Sequence, residues 1–150
     1  MEKSKRLSIL SNASSSSLVL DPYPHLVIQN ALDAEIFAQL AASFPPDELV
    51  VNGREVKDTW YDYPACKVGR DQRITQAWRD FFAYHVSREF FLELASLFGD
   101  VIRETHPHLE SRMGKPLSEV IVGMRPGGKG DPLAPGADVS MECQFYTNFT

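Results

Sequence analysis

The end of the chain carries its clearest strand pattern. From Val139 to Thr150 the side chains alternate, with Val139, Met141, Cys143 and Phe145 on one side and Ser140, Glu142, Gln144, Tyr146 and Asn148 on the other. Period-two alternation is typical of a half-buried strand, and no turn signal interrupts it before the last residue. One other strand, Glu119 to Arg125, is predicted nearby, and two strands alone form a marginal sheet. We therefore expect the chain to be the front part of a larger β-rich domain.

Composition sets wide bounds on the class of protein. The 150 residues are 43% hydrophobic and 23% charged, which is typical of one globular domain. The net charge of −5, with scattered basic residues, argues against nucleic-acid binding. No apolar run is long enough for export or a membrane span, and Cys66 and Cys143 lack metal or redox spacing, so we expect reduced thiols in a cytoplasmic protein.

The chain divides into a leader and one domain. Residues 1–17 are polar and serine-rich and predict a flexible leader, and residues 18–150 form the domain. Two short strands, 18–20 and 25–28, are predicted around a proline turn. A helix capped by Asp33 follows, and an irregular, aromatic-bearing stretch covers residues 47–70.

The middle of the domain is predicted to be helical. Apolar residues recur at helical spacing from Ile74 to His85, and Ser87 restarts a helix that ends at His106-Pro107. A turn-rich connection, 126–136, links the two late strands.

Two motifs with catalytic or metal-binding associations are incomplete. Residues 123–130 come within one residue of a phosphate-binding P-loop, but Gly130 replaces the hydroxyl residue that would ligand magnesium. We interpret this run as a glycine-rich strand connection. His108-Leu109-Glu110 matches two ligands of an iron facial triad, but no histidine follows His108. A solvated loop is the preferred interpretation there, and His85 and His25 are interpreted as structural histidines.

Two clusters leave alternatives open. Trp60, Tyr61 and Tyr63 either line a ligand pocket or cover the edge of the core. Gln144, Tyr146 and Asn148 share one side of the last strand, which faces either the inside of a barrel or solvent. Composition does not choose between these alternatives.

Part of the chain resembles a known enzyme family. The segment Asp21 to Leu32, followed by a capped helix ending at Phe44-Pro45, resembles the opening of iron(II)/2-oxoglutarate-dependent oxygenases of the prolyl-hydroxylase-like kind. Residues 78–82, 85–90 and 97–99 are similar to the paired helices that precede the barrel in one bacterial branch of that family. The resemblance extends over Leu18 to Thr150.

The resemblance implies an α+β fold, with N-terminal helices packed against a double-stranded β-helix (jelly roll) whose later strands are missing from this chain. It implies a dioxygenase that uses Fe(II) and 2-oxoglutarate to oxidise a small-molecule or peptide substrate. The family's His-x-Asp motif is absent from these residues, so no metal ligand is assigned. The resemblance places Gln144, Tyr146, Asn148 and Arg125 in the co-substrate pocket.

A different class of function is the alternative. The helices and the exposed strand edge would then form a non-catalytic binding or interaction module that pairs with another chain. We expect the oxygenase, because the resemblance is ordered along the whole domain.

Overall fold

The computed structural model describes residues 7–127 and 133–149, which form an α+β arrangement. The helices are α1 (Ala34–Ala42), α2 (Asp47–Val51), α3 (Ala65–Val68), α4 (Gln76–His85), α5 (Arg88–Thr105) and α6 (Leu109–Met113). The strands are β1 (Thr59–Pro64), β2 (Val122–Met124), β3 (Val139–Met141) and β4 (Gln144–Phe149). Short 3-10 turns lie at Ser15–Ser17 and Leu117–Glu119. Mixed α+β structure is thus confirmed, and the jelly roll stays a prediction.

The helix boundaries follow the capping signals in the sequence. The Asp33 carboxylate accepts from the Glu35 amide at 3.0 Å and begins α1. The Ser87 hydroxyl accepts from the Phe90 amide at 3.3 Å and begins α5, so the predicted break after His85 is confirmed. Both caps satisfy first-turn amides that have no partner inside the helix.

The strands form two separate two-stranded sheets among the described residues. β2 and β3 are parallel, and β1 and β4 are antiparallel. We call the β1–β4 pair the ribbon. The prediction of one continuous strand from Val139 was wrong, because the chain changes partner at Glu142 and Cys143, from β2 to β1. The prediction that residues 47–70 are irregular was also wrong, because they contain β1, α2 and α3.

One face of the ribbon is the centre of the core. Phe145 is 3% exposed, and its ring centroid lies 4.6 Å from that of Phe82 and 4.9 Å from that of Trp78. Tyr61 and Tyr63 are buried beside it on β1. Alternate residues of each strand point to the same face, so this face packs against the helices.

The buried tyrosines keep polar partners at their hydroxyl ends. Tyr61 donates to the Glu55 carbonyl at 2.6 Å, and Tyr63 donates to the Asp71 carboxylate at 2.6 Å. Burial and the neighbouring Asp71 raise the pKa of Tyr63. Arg73 bonds to the same carboxylate and holds the pKa of Asp71 well below its usual range. These bonds allow the rings to be buried without leaving polar atoms unpaired.

The start of the chain differs from its prediction. Residues 18–20 and 25–28 contribute a single bridge, between Val19 and His25, instead of two strands. Residues 1–6 of the predicted leader lie outside the described residues. From residue 7 the chain contacts the helices: Ser8 is 0% exposed and donates to the Glu93 carboxylate. A helix that the sequence does not place beside Ser8 provides that partner, and the flexible leader stays a prediction.

Cys66 and Cys143 are both free thiols. Burial raises the pKa of Cys143 to about 11. No helix within the described part of the chain has the length and apolar character needed to span a bilayer.

Candidate functional site

The second face of the ribbon carries the residues that could contact a ligand. Its members are cross-strand or diagonal neighbours: Trp60 lies opposite Asn148, Asp62 opposite Tyr146, and Gln144 beside them on β4. Partners in register project to the same side of a sheet. We call Trp60, Asp62, Gln144, Tyr146 and Asn148 the outer face.

Two aromatic rings dominate the outer face. Trp60 is 61% exposed and Tyr146 is 52% exposed. Their ring centroids are 5.6 Å apart, with the planes inclined by 64°. The Gln144 side-chain amide donates to the Tyr146 hydroxyl. Together these side chains offer apolar ring area beside neutral hydrogen-bonding groups, which is a combination typical of small-molecule sites.

The carboxylate on this face already has a partner. The Arg54 guanidinium lies 3.3 Å from Asp62 and donates to the backbone carbonyls of Val50 and Asp62 at 2.8 Å. The same guanidinium lies 5.0 Å from the centre of the Tyr61 ring. Arg54 is thereby fixed to the ribbon, and the outer face carries no unbalanced charge from Asp62.

The structure separates the predicted site residues into two places. Gln144, Tyr146 and Asn148 lie together on the outer face. Arg125 follows β2 in the other sheet, where its amide donates to the Met141 carbonyl at 2.8 Å. Its guanidinium forms an ion pair with Glu142 at 2.6 Å. The guanidinium that would bind a carboxylate of 2-oxoglutarate is therefore already paired with Glu142.

The described residues do not fit an iron ion. Within residues 7–127 and 133–149, no three His, Cys, Asp or Glu side chains converge to hold a metal. Glu110 of the His108-Leu109-Glu110 motif accepts from the Leu117 amide at 2.7 Å and pairs with Arg103 at 3.3 Å. These bonds lower the pKa of Glu110 and leave its carboxylate engaged in closing a loop. The motif, expected in a loop, begins helix α6 instead.

The glycine-rich motif is described only in part. Residues 128–130 of the P-loop-like run, and residues 131 and 132 after it, lie outside the described residues. Within the described part, a Cβ added to Gly127 would lie 2.7 Å from the Cys66 sulfur. The strand connection therefore passes close to α3, and a side chain at position 127 would require the Cys66 sulfur to move.

Sequence reasoning grouped Trp60 with Tyr61 and Tyr63, and the structure divides them. The two tyrosines lie in the core, whereas Trp60 lies on the outer face with Asp62. The alternation of Trp60 and Asp62 with Tyr61 and Tyr63 is the signal that would have separated them. It was missed because β1 pairs with a strand far away in sequence.

A scan against family models found no match, and searches among curated proteins and among solved structures found none either.

Proposed function

We propose that this chain is the N-terminal part of an iron(II)/2-oxoglutarate-dependent oxygenase-like protein, in which the outer face forms one wall of the substrate pocket. The observation that carries the proposal is the two-sided ribbon. One face is buried against helices, and the opposite face exposes two contacting aromatic rings among polar side chains. Strands of a barrel divide their side chains in this way: one side packs against supporting elements, and the other side faces the interior of the barrel and can contact a ligand. The outer face of the ribbon would correspond to the ligand-contacting side.

The chemistry of the outer face defines what it would contribute. Gln144 and Asn148 provide neutral donors and acceptors, and Tyr146 and Trp60 provide ring area. These groups are suited to orienting a substrate or co-substrate and to excluding water from it. These four side chains include neither metal ligands nor an unpaired basic residue. The iron ligands and the basic residue that binds 2-oxoglutarate would therefore be supplied by sequence beyond Thr150.

The test compares two lengths of the protein. The 150-residue chain and the product of the continuous parent reading frame would each be titrated anaerobically with iron(II) and 2-oxoglutarate by calorimetry. We expect binding by the longer protein alone. Specific tight binding by the 150-residue chain would contradict the proposal, as would a downstream sequence without His-x-Asp and a distal histidine.

Variants of the longer protein locate the wall of the pocket. Asn148→Ala and Tyr146→Ala are expected to weaken 2-oxoglutarate or substrate binding, because both side chains belong to the outer face. Thr147→Ala is the matched control, since Thr147 points to the other face and bonds to Asp47 at 2.6 Å. Equal effects of all three variants would argue against a ligand on the outer face.

A second function is favoured by a different observation. Among the described residues, β1 and β4 pair only with each other, so each strand has one edge without a strand partner. Such edges accept an added strand from another chain. A stop codon directly after Thr150 in the parent gene would favour this interaction module over the oxygenase.

A further inference from the structure

Residues 7–10 are fastened to α4 and α5 by a buried polar cluster, and we call these residues the strap. The Ser8 hydroxyl donates to the Glu93 carboxylate and accepts from the Leu10 amide at 3.1 Å. Ser8 has no exposed surface. The 3-10 turn at Ser15–Ser17 also contacts α5, so the chain follows this helix beyond the strap.

His85 holds the other side of the strap. Its Nδ1 lies 2.8 Å from the Phe81 carbonyl oxygen, and a carbonyl only accepts, so Nδ1 carries the proton. The lone pair is therefore on Nε2, which lies 3.4 Å from the Ile9 amide and accepts from it. His85 is 5% exposed, with the ring centroids of Phe81 and Phe90 at 4.0 and 4.5 Å. The Ile9 bond thus requires a neutral imidazole.

The charged groups around the cluster lie on the helices. Glu93 on α5 is the acidic neighbour of His85. Tyr84 on α4 donates to Glu93 at 2.5 Å, and burial together with Glu93 raises the pKa of Tyr84 to about 12. At the start of α5, Glu89 and Arg88 are exposed, and Arg88 donates to the Ser118 carbonyl.

The strap itself has no titratable side chain, and neither does the rest of the segment up to residue 17. Between pH 5 and 8, His85 is therefore the group at this contact whose ordinary pKa falls in range. Burial among aromatic rings lowers the pKa of His85, although the Phe81 carbonyl and Glu93 oppose the shift.

We propose that residues 7–10 are an acid-released strap, which detaches from α4 and α5 when His85 takes up a proton on Nε2. Protonation turns the acceptor of the Ile9 amide into a donor and puts two N–H groups face to face. It also places a cation between aromatic rings at a site that is only 5% exposed. Release of the strap gives the imidazolium access to water and leaves it beside Glu93.

The sign of the pH dependence follows from proton linkage. An exposed histidine has a pKa of about 6.5, and the attached state lowers that value. Above this pH neither state binds the proton, so the strap stays attached. Below it the open state binds the proton first, and the opening constant rises about tenfold per pH unit until the pH reaches the pKa of the attached state.

The experiment follows backbone amide and imidazole resonances by NMR from pH 8 to pH 5. We expect the Ile9 and Leu10 amides to move toward unstructured values with the same midpoint as the His85 ring, while core amides such as that of Val50 stay in place. In His85→Gln the amide oxygen still accepts from Ile9 but takes up no proton, so the strap should stay attached. His106→Gln, at an exposed histidine, is the matched control and should titrate like the parent.

Two outcomes would overturn the proposal. One is an unchanged Ile9 amide while His85 titrates in the parent protein, a measurement that does not depend on any variant folding. The other is the same acid-induced shift in His85→Gln as in the parent. Ser8→Ala provides an independent check, because losing the Glu93 bond should increase opening at every pH without adding a titrating group.

Discussion

The two faces of the ribbon predict that substitutions at adjacent positions lower the free energy of unfolding by very different amounts. Phe145→Ala removes a ring that is 3% exposed, and Tyr146→Ala removes one that is 52% exposed. Both substitutions shorten an aromatic side chain to a methyl group in the same strand, so strand propensity changes similarly. The difference between them therefore measures the burial of one face against the exposure of the other.

The magnitudes follow from the contacts of each ring. Phe145 meets Phe82, Trp78 and Phe44 at centroid distances of 4.6, 4.9 and 5.4 Å, so its truncation leaves a cavity. Truncations of this kind reduce the free energy of unfolding by about 3–5 kcal/mol. Tyr146 loses chiefly its contact with Trp60, which is worth about 0.5–1.5 kcal/mol.

Urea denaturation followed by circular dichroism measures both values. A gap of at least about 1.5 kcal/mol between the two variants is expected, roughly a 13-fold difference in the ratio of folded to unfolded protein. If Phe145→Ala is too unstable to measure, Phe145→Leu retains most of the apolar volume and should still cost more than the matched Tyr146→Leu, because only Phe145 is buried. Equal losses at the two positions would refute the two-sided ribbon and the proposed function with it.

Three further predictions test local features. Gly123→Ala should lower the free energy of unfolding by about 1–3 kcal/mol in urea melts, since a Cβ there would lie 2.5 Å from that of Ala134; full stability would show that the strand connection does not cover β2. Ser87→Ala should cost about 1 kcal/mol in the same melts, because the Phe90 amide loses its cap; no loss would argue against this cap. Alkylation of Cys143 by iodoacetamide, followed by peptide mass spectrometry, should accelerate about tenfold per pH unit from pH 7 to pH 10, because its pKa is raised to about 11; a plateau near pH 8 would contradict that value.

Local signals predicted the three longest helices, α1, α4 and α5. Asp33 and Ser87 identify helix starts because a cap acts on amides only two or three residues away. The end of α5 before His106-Pro107 has an equally local cause. Such boundaries are readable because each depends on neighbours in the sequence.

The sheets depend on partners that the sequence does not identify. The alternation after Val139 correctly grouped Gln144, Tyr146 and Asn148, but it continues across the point where the strand changes partner. Periodicity records which side a residue faces and contains no information about which strand lies beside it. Arg125 illustrates the same limit, since its ion pair with Glu142 depends on β2 and β3 lying side by side.

The change of partner after β3 also orders the assembly of the protein. Val122 and Val139 are 17 positions apart, whereas Thr59 and Phe149 are 90 positions apart. Short loops close with a smaller loss of chain entropy than long ones, so the β2–β3 pair should form first and carry β4 toward β1. On the ribosome, the aromatic side chains of α4 would wait uncovered until Phe145 has been synthesised, and that interval is when the nascent chain is most exposed to aggregation and to binding by chaperones.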